Sequence, residues 1–401
     1  MNRKVNVGGE EMKILIATAY DYPHAGGLSV HVDTLKAGLE SLGHEVDVLS
    51  FSDVSPVSRK ILAQGPSYIL NKFKKGKGIV WSHKMRQRFL RTLIDKNKHK
   101  SYDLVHAQDP FTTLAALESG IPTVATVHGY MAFESISKGS MDEGSDEARF
   151  MQDIEIQAYK GAREIITVDT RLKDYVKEVS GVEATAIRNF IDIHSFKPNK
   201  DKKNELREKY EIDVDADILF CPRRLTKKNG VIYPALALPK VLKEFPNAHL
   251  IYAGSGEALT EIKEIVAREG MDQNVTLLGA VAHSVVRDYY DLSDVALVPS
   301  VHSAGVEEAT SISALEAMGS GSPLIACAVG GLKEIVDSGV DGLLVEEKNV
   351  DELADAIITL LRDPEAGIEM AAKARAKIEE DYSHIAAAKK YFEIYESALN
   401  Q

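Results

Sequence analysis

The sequence predicts an α/β protein built as two Rossmann-like, doubly wound domains. Two observations carry this. Short β-branched apolar runs alternate with amphipathic segments of helix length, the signature of parallel strands joined by crossover helices. The runs also fall into two sets, separated by a polar stretch at residues 191–205 that holds Pro198 and the run Lys-Asp-Lys-Lys at 200–203.

The strand candidates of the first set are residues 13–19, 45–51, 103–108, 122–128, 163–169 and 185–189. Those of the second are 216–221, 249–253, 275–279, 295–300, 324–328 and 342–345. Between the first two strands, Val32, Leu35, Leu39 and Leu42 keep helical spacing, and Gly43 supplies a stop. Residues 383–400 form a last helix with Ile385, Tyr391, Phe392, Ile394 and Tyr395 in register. Phe196 is placed to anchor the crossing between the sets. Residues 134–149, rich in Ser, Gly and acids, read as a mobile loop, and the segment before Met12 as a loose tail.

Bulk properties narrow the function classes. The 401 residues are enough for two domains, and 44% apolar with 27% charged content is ordinary for a globular protein. Cys221 and Cys327 both sit in apolar strand-like runs, so they read as buried thiols and favour a cytoplasmic setting. No apolar run approaches a membrane span, and the start of the chain lacks the apolar stretch of a signal peptide. Charge is uneven: residues 56–100 hold 13 Lys+Arg against one acid, Asp95, so they carry +12 while the whole chain carries −12. Phe73, Ile79, Trp81, Phe89, Leu90 and Leu93 lie among those cations. Such a mixture suits a solvated helix pair capping the first domain, an anionic acceptor, or contact with an anionic membrane surface, peripheral at the inner face. No nucleic-acid partner is expected.

Open parallel sheets bind ligands beyond the strand C-termini, and two such sheets facing each other would form one interdomain cleft. The motifs with chemical content lie at those loops. Gly26-Gly27 follows the first strand and permits close backbone approach to an anion. No G-x-G-x-x-G fingerprint follows that strand and no G-x-x-x-x-G-K-[ST] loop occurs, which argues against a dehydrogenase and a nucleoside triphosphatase. His128-Gly129 closes another strand of the first set. In the second set, Arg223-Arg224-Leu-Thr-Lys227-Lys228-Asn-Gly230 offers four cations able to clamp a diphosphate. Gly254-Ser-Gly256 and Gly330-Gly331 follow further strands. The D-x-D spacing of Asp213, Asp215 and Asp217 precedes a strand, so it lies at the wrong edge and reads as a surface turn.

Glu308 and Glu316 flank seven residues that begin as loop and continue as helix. Over a helix, eight steps advance about 12 Å and leave the side chains within about 80° of each other. A glycosidase pair needs carboxylates about 5–9.5 Å apart. The wider spacing suits holding two parts of an elongated ligand, with a helix N-terminus between them.

This ordered set resembles glycosyltransferase family 4, the retaining glycosyl transferases of group 1 with the GT-B fold. The resemblance rests on Gly26-Gly27, Gly43-His44-Glu-Val46, His128-Gly129, Asn189-Phe-Ile-Asp192 with Phe196-Lys-Pro198, Arg224 with Lys228-Asn-Gly230, Pro299-Ser300, Glu308-x7-Glu316-Ala-Met318, and Gly330-Gly331 with Glu334. It covers nearly the whole chain. It implies an acceptor-binding domain at 1–192, a nucleotide-sugar-binding domain at 193–382, and a helix at 383–401 crossing back onto the first domain. By matching position, Glu316 would bind the nucleotide ribose, and Glu308 would sit by the donor sugar. The main-chain N–H groups of Thr310, Ser311 and Ile312 would approach sugar and diphosphate. Arg224 and Lys228 would neutralise the leaving diphosphate, so no metal or other cofactor is expected. Gly27 would admit the β-phosphate, and His128 would lie near the reacting sugar.

The expected reaction moves a sugar from a nucleotide diphosphate sugar, with UDP the expected base, to an acceptor hydroxyl with retained configuration. Domain closure would keep water out. Two departures from the family pattern stand out. Glu308-Ala-Thr-Ser replaces the usual Glu-Pro-Phe-Gly, so donor-sugar preference does not transfer. The clamp lysine sits one place off a common spacing, which keeps Lys227 as an alternative. A nucleotide-sugar epimerase on the same scaffold and a non-catalytic sugar-nucleotide-binding protein are the competing readings.

Overall fold

The computed structural model describes residues 5–6, 9–24, 27–137, 139–302 and 310–401. It divides into two compact units, one of Met1–Arg188 with His384–Gln401 and one of Asn189–Ser383. The sequence predicts the break at 192/193.

Ahead of the first sheet, β1 (Val5–Asn6) pairs antiparallel with β2 (Gly9–Glu10), where the sequence suggests only a loose tail. The first unit then carries β3 (Lys13–Thr18), β4 (Glu45–Ser50), β5 (Leu104–Ala107), β6 (Thr123–Val127), β7 (Glu164–Thr167) and β8 (Thr185–Ala186). They form one all-parallel sheet in the order β4-β3-β5-β6-β7-β8. Every residue of β5 and β6 is buried, as expected of central parallel strands covered on both faces. The following helices start on side-chain caps. Asp109 accepts from the Thr112 N–H at 2.9 Å ahead of Pro110, and Asp169 accepts from the Leu172 N–H at 2.8 Å.

Residues 134–149 depart from expectation. They contain the end of helix Met131–Ser137 and the start of helix Asp146–Gly161. The Ser145 hydroxyl caps the second helix and Asp146 and Glu147 occupy its first turn, so the residues that suggest a loop are a helix start. The last helix, His384–Leu399, packs on helix Gly27–Ser41. Gly38 makes this approach possible, because a Cβ there would collide with the His384 carbonyl.

The second unit carries β9 (Asp217–Cys221), β10 (Ala248–Tyr252), β11 (Val275–Leu277), β12 (Val295–Val298), β13 (Leu324–Cys327) and β14 (Leu343–Val345). These also form one parallel sheet, in the order β11-β10-β9-β12-β13-β14. The order reverses direction beside β9, which puts the topological switch at the loop carrying Arg223 to Gly230. Both cysteines are free and buried, in β9 and β13. Phe196 is buried in this unit's core, with its ring 5.0 Å from that of His283. The Asp213–Asp215 segment is a turn before β9: the Asp215 N–H donates to Asp213 Oδ1 at 2.9 Å, and Arg207 donates to the Asp213 carbonyl at 2.8 Å.

Candidate functional site

In the second unit, the loops after β9 and β12 and helix Ile312–Gly319 meet at one buried side chain, Arg223. It is 7% exposed. Its Nη1 donates to Ser311 Oγ at 2.7 Å, and its Nη2 donates to Asn229 Oδ1 and Ser300 Oγ, both at 2.9 Å. The fork of the guanidinium suits this task, since it presents several donors in fixed directions. Arg223, one of the four cations of the stretch but not one assigned to the diphosphate, is therefore a tie between loops.

Its neighbours differ. Arg224, Lys227 and Lys228 are exposed, and neither Arg224 nor Lys228 forms an ion pair with a described residue. Their main chain is fixed all the same. The Lys228 carbonyl accepts from the Val301 N–H at 3.0 Å, and Asn229 Nδ2 donates to the Arg224 carbonyl at 2.8 Å. Gly230 closes the turn with φ +61°, and a Cβ there would overlap the Pro299 carbonyl oxygen. The result is a loop with a hydrogen-bonded main chain whose Arg224 and Lys228 side chains are exposed. A cavity of about 320 Å³ opens beside it, lined by Thr226, Lys227, Tyr233, Glu261, His302 and Lys348 among others; Arg224, Lys228 and Glu316 are not in its walls.

Helix Ile312–Gly319 is held at both ends. Ser311 is its N-cap residue, yet its hydroxyl makes no capping bond and accepts from Arg223 instead. Thr310 is buried, and its carbonyl accepts from Asn189 Nδ2 at 3.1 Å. At the other end, Arg375 Nη1 donates to the Gly319 carbonyl at 2.7 Å, a cation where the helix dipole favours one. Glu316 on this helix is 5% exposed. Its Oε1 is 2.7 Å from His283 Nε2, and its Oε2 accepts from the Tyr290 hydroxyl at 3.4 Å. The hydrogen bond to Glu316 raises the His283 pKa above its ordinary value, against an opposing effect of burial.

Sequence reasoning missed His283 and Tyr290. The one available signal was a histidine opening an amphipathic helix, His283–Leu292. Glu308 and Gly26 lie outside the described residues.

In the first unit, Gly27 begins helix Gly27–Ser41, and an added Cβ would meet nothing within 4 Å. His128 follows β6 and joins a buried polar chain. Its Nε2 is 2.8 Å from Gln108 Oε1. Gln108 Nε2 reaches His106 Nε2 at 3.2 Å, and His106 Nδ1 meets the Tyr395 hydroxyl of the last helix at 2.8 Å. With the Gln108 amide so oriented, His128 carries its proton on Nε2 and keeps Nδ1 as an acceptor. The His31 ring stands edge-on to that of His128, with centroids 4.7 Å apart. Burial pushes the His128 pKa down to about 4 and that of His106 to about 3, and lowers that of His31 as well. Burial therefore favours the uncharged imidazole at all three positions.

Residues 25–195 match the model of Glycosyltransferase Family 4, and residues 202–380 match that of Glycosyl transferases group 1. The chain is 28% identical over 403 residues to an uncharacterized glycosyltransferase of Methanocaldococcus jannaschii, covering 97% of this chain and 99% of that one. Among solved structures it is similar in fold to Anabaena HepE in complex with UDP and glucose, with TM-score 0.69 and 19% identity over 96% of this chain and 100% of the other. It is also similar to the catalytic domain of Starch Synthase IV from Arabidopsis thaliana bound to ADP and acarbose, with TM-score 0.71 and 17% identity over 98% and 100% of the two chains. With two parallel α/β units and both family models matched in order along its length, the chain belongs to glycosyltransferase family 4 and is a glycosyltransferase of GT-B fold.

Proposed function

We propose that the protein transfers a sugar from UDP-sugar to an acceptor hydroxyl, with retention of configuration and without a metal ion. The observation that carries this is the loop after β9: Arg224 and Lys228 stand exposed without a carboxylate partner among the described residues, on a backbone pinned by buried Arg223 and by Gly230. Cations carried on a held main chain suit a leaving diphosphate, because stabilisation placed before the reaction costs less reorganisation during it. UDP is favoured by the UDP complex of HepE, while the ADP complex of Starch Synthase IV makes ADP the competitor.

In this reading Glu316, oriented by His283 and Tyr290, accepts hydrogen bonds from the ribose through its remaining lone pairs. The N–H groups opening helix Ile312–Gly319 face the diphosphate, the favoured place for an anion. Neutral His128 bonds a sugar hydroxyl, and Glu308 sits by the donor sugar. The bond from the anomeric carbon to the diphosphate oxygen breaks as the acceptor oxygen bonds to the same face. The acceptor's proton passes to the departing phosphate oxygen, so no second carboxylate is needed. The acceptor fits glycolipid, polysaccharide or glycoconjugate synthesis.

A thermal-shift screen over UDP, GDP, ADP and dTDP tests the donor assignment. UDP is expected to raise the melting temperature most. A larger rise with ADP or GDP overturns the base, and no rise with any of the four overturns the nucleotide site.

A further inference from the structure

The basic stretch of the first unit leaves an apolar stripe uncovered. It runs through helix Pro56–Ser58, the π-helical turn Arg59–Gln64 and helix Gly65–Phe73, then returns along helix Lys77–Asn97. Twelve large hydrophobic side chains are exposed among the described residues, and seven of them lie between Val57 and Trp81. That concentration in so short a segment distinguishes a patch from scattered surface apolar residues, which need no explanation.

Ile69 and Phe73 lie one turn apart on helix Gly65–Phe73, with Tyr68 beside them, and Val57, Ile61 and Leu62 are exposed on the turns just before it. Phe73 is 82% exposed. The segment has its covered side as well: Ala63 is buried with Phe51 and Val54, against Met85, Phe89 and Leu93. The stripe is thus a second apolar face, and it is held in place. The Trp81 indole N–H donates to the Leu62 carbonyl at 2.8 Å, and the Gly78 N–H donates to Asn71 Oδ1 at 2.8 Å.

The charge carried by the stripe's own segment is of one sign, though acids from neighbouring segments pair with part of it. Residues 57–81 contain six Lys and Arg and no acid. Arg59, Lys74 and Lys75 pair with Asp21, Glu147 and Asp142. Lys60, Lys72 and Lys77 are exposed and form no ion pair with a described residue. Lys72 Nζ lies 4.5 Å from the centre of the Tyr68 ring, which places a cation on the stripe itself. A nucleic acid would use the cations but has no use for the aliphatic side chains between them. A bilayer with anionic headgroups uses both: apolar groups enter the acyl boundary and lysines meet the phosphates.

We propose that this face docks on an anionic lipid bilayer, with Ile61, Ile69 and Phe73 inserted and Lys60, Lys72 and Lys77 against the headgroups. The docking does not depend on the sugar-transfer reading, and its test needs no activity. The full chain is sedimented with phosphatidylcholine vesicles and with vesicles of phosphatidylcholine and phosphatidylglycerol, at about 0.1 M salt. Binding to the anionic vesicles is expected to be at least about tenfold stronger and to weaken with added salt. The double variant Ile69→Ser/Phe73→Ser and the triple variant Lys60→Gln/Lys72→Gln/Lys77→Gln should each lose at least about tenfold, with melting temperatures unchanged because these side chains are exposed. Equal binding to both vesicle types overturns the proposal, as does no binding to either. Full binding by the serine variant overturns insertion. A concentration-dependent dimer abolished by the serine variant, without vesicle binding, makes the stripe a self-association face instead.

Discussion

Replacing Arg223 with Met separates its role from that of Arg224. The methionine keeps much of the stem's volume and removes the charged fork. Three acceptors then lose their donor: Ser311 Oγ, Asn229 Oδ1 and Ser300 Oγ, on residues that are all buried. Leaving a buried polar group unsatisfied costs about 1–3 kcal/mol. Part of that is offset, because taking a guanidinium out of a buried site removes a desolvation penalty of several kcal/mol, and the serine hydroxyls can turn to other acceptors. A net loss of about 2–4 kcal/mol follows for the unit Asn189–Ser383. For a domain of this size, about 3 kcal/mol lowers the melting temperature by roughly 6–12 °C. Scanning calorimetry reads the shift, and titration with a nucleoside diphosphate reads the affinity. Arg224→Met should show the opposite pattern, with stability unchanged and affinity reduced. If Arg223→Met costs less than about 1 kcal/mol and loses more diphosphate affinity than Arg224→Met, then Arg223 is the ligand and the tie between loops is wrong.

The pair His283–Glu316 predicts a pH dependence. Because Glu316 raises the His283 pKa above its ordinary value, the stabilisation it provides is complete below that value and fades as pH rises through the folded pKa. The melting temperature of the wild type should therefore exceed that of His283→Phe most at acid pH, with the gap closing on the alkaline side; a constant gap would contradict the ion pair. At Gly230, Ala should cost several kcal/mol, since φ is +61° and the Pro299 carbonyl occupies the space of a Cβ. Gly270→Ala, with φ +69° but nothing within 4 Å, should cost only about 1 kcal/mol. Thermal melts of the two variants decide, and equal losses would show that the contact with Pro299 does not matter.

The sheets were legible because buried parallel strands must be continuous apolar runs, and helices between them must be amphipathic. The strands of both sheets show in the sequence for that reason. Local chemistry misled where one composition serves two ends. Ser145, Asp146 and Glu147 look like loop, yet Ser is also the residue that caps a helix and acids suit its first turn. At the site, type and spacing pointed to the loop Arg223–Gly230 but did not sort its cations. The family resemblance singled out Arg224 and Lys228, and the fold turns Arg223 inward and leaves those two exposed. His283 stayed hidden because its partner, Glu316, lies 33 residues on, and only the folded sheet brings them to 2.7 Å. The chain from His128 through Gln108 and His106 to Tyr395 was hidden for the same reason.

The central claim is that Arg224 and Lys228 clamp a diphosphate. Calorimetric titration of the wild type and of Arg224→Ala/Lys228→Ala with UDP and with uridine tests it most directly. The double variant should bind UDP about ten- to a hundredfold more weakly, the loss expected of charge-assisted contacts, and bind uridine as the wild type does. Unchanged UDP affinity, or an equal loss for uridine, would contradict the clamp.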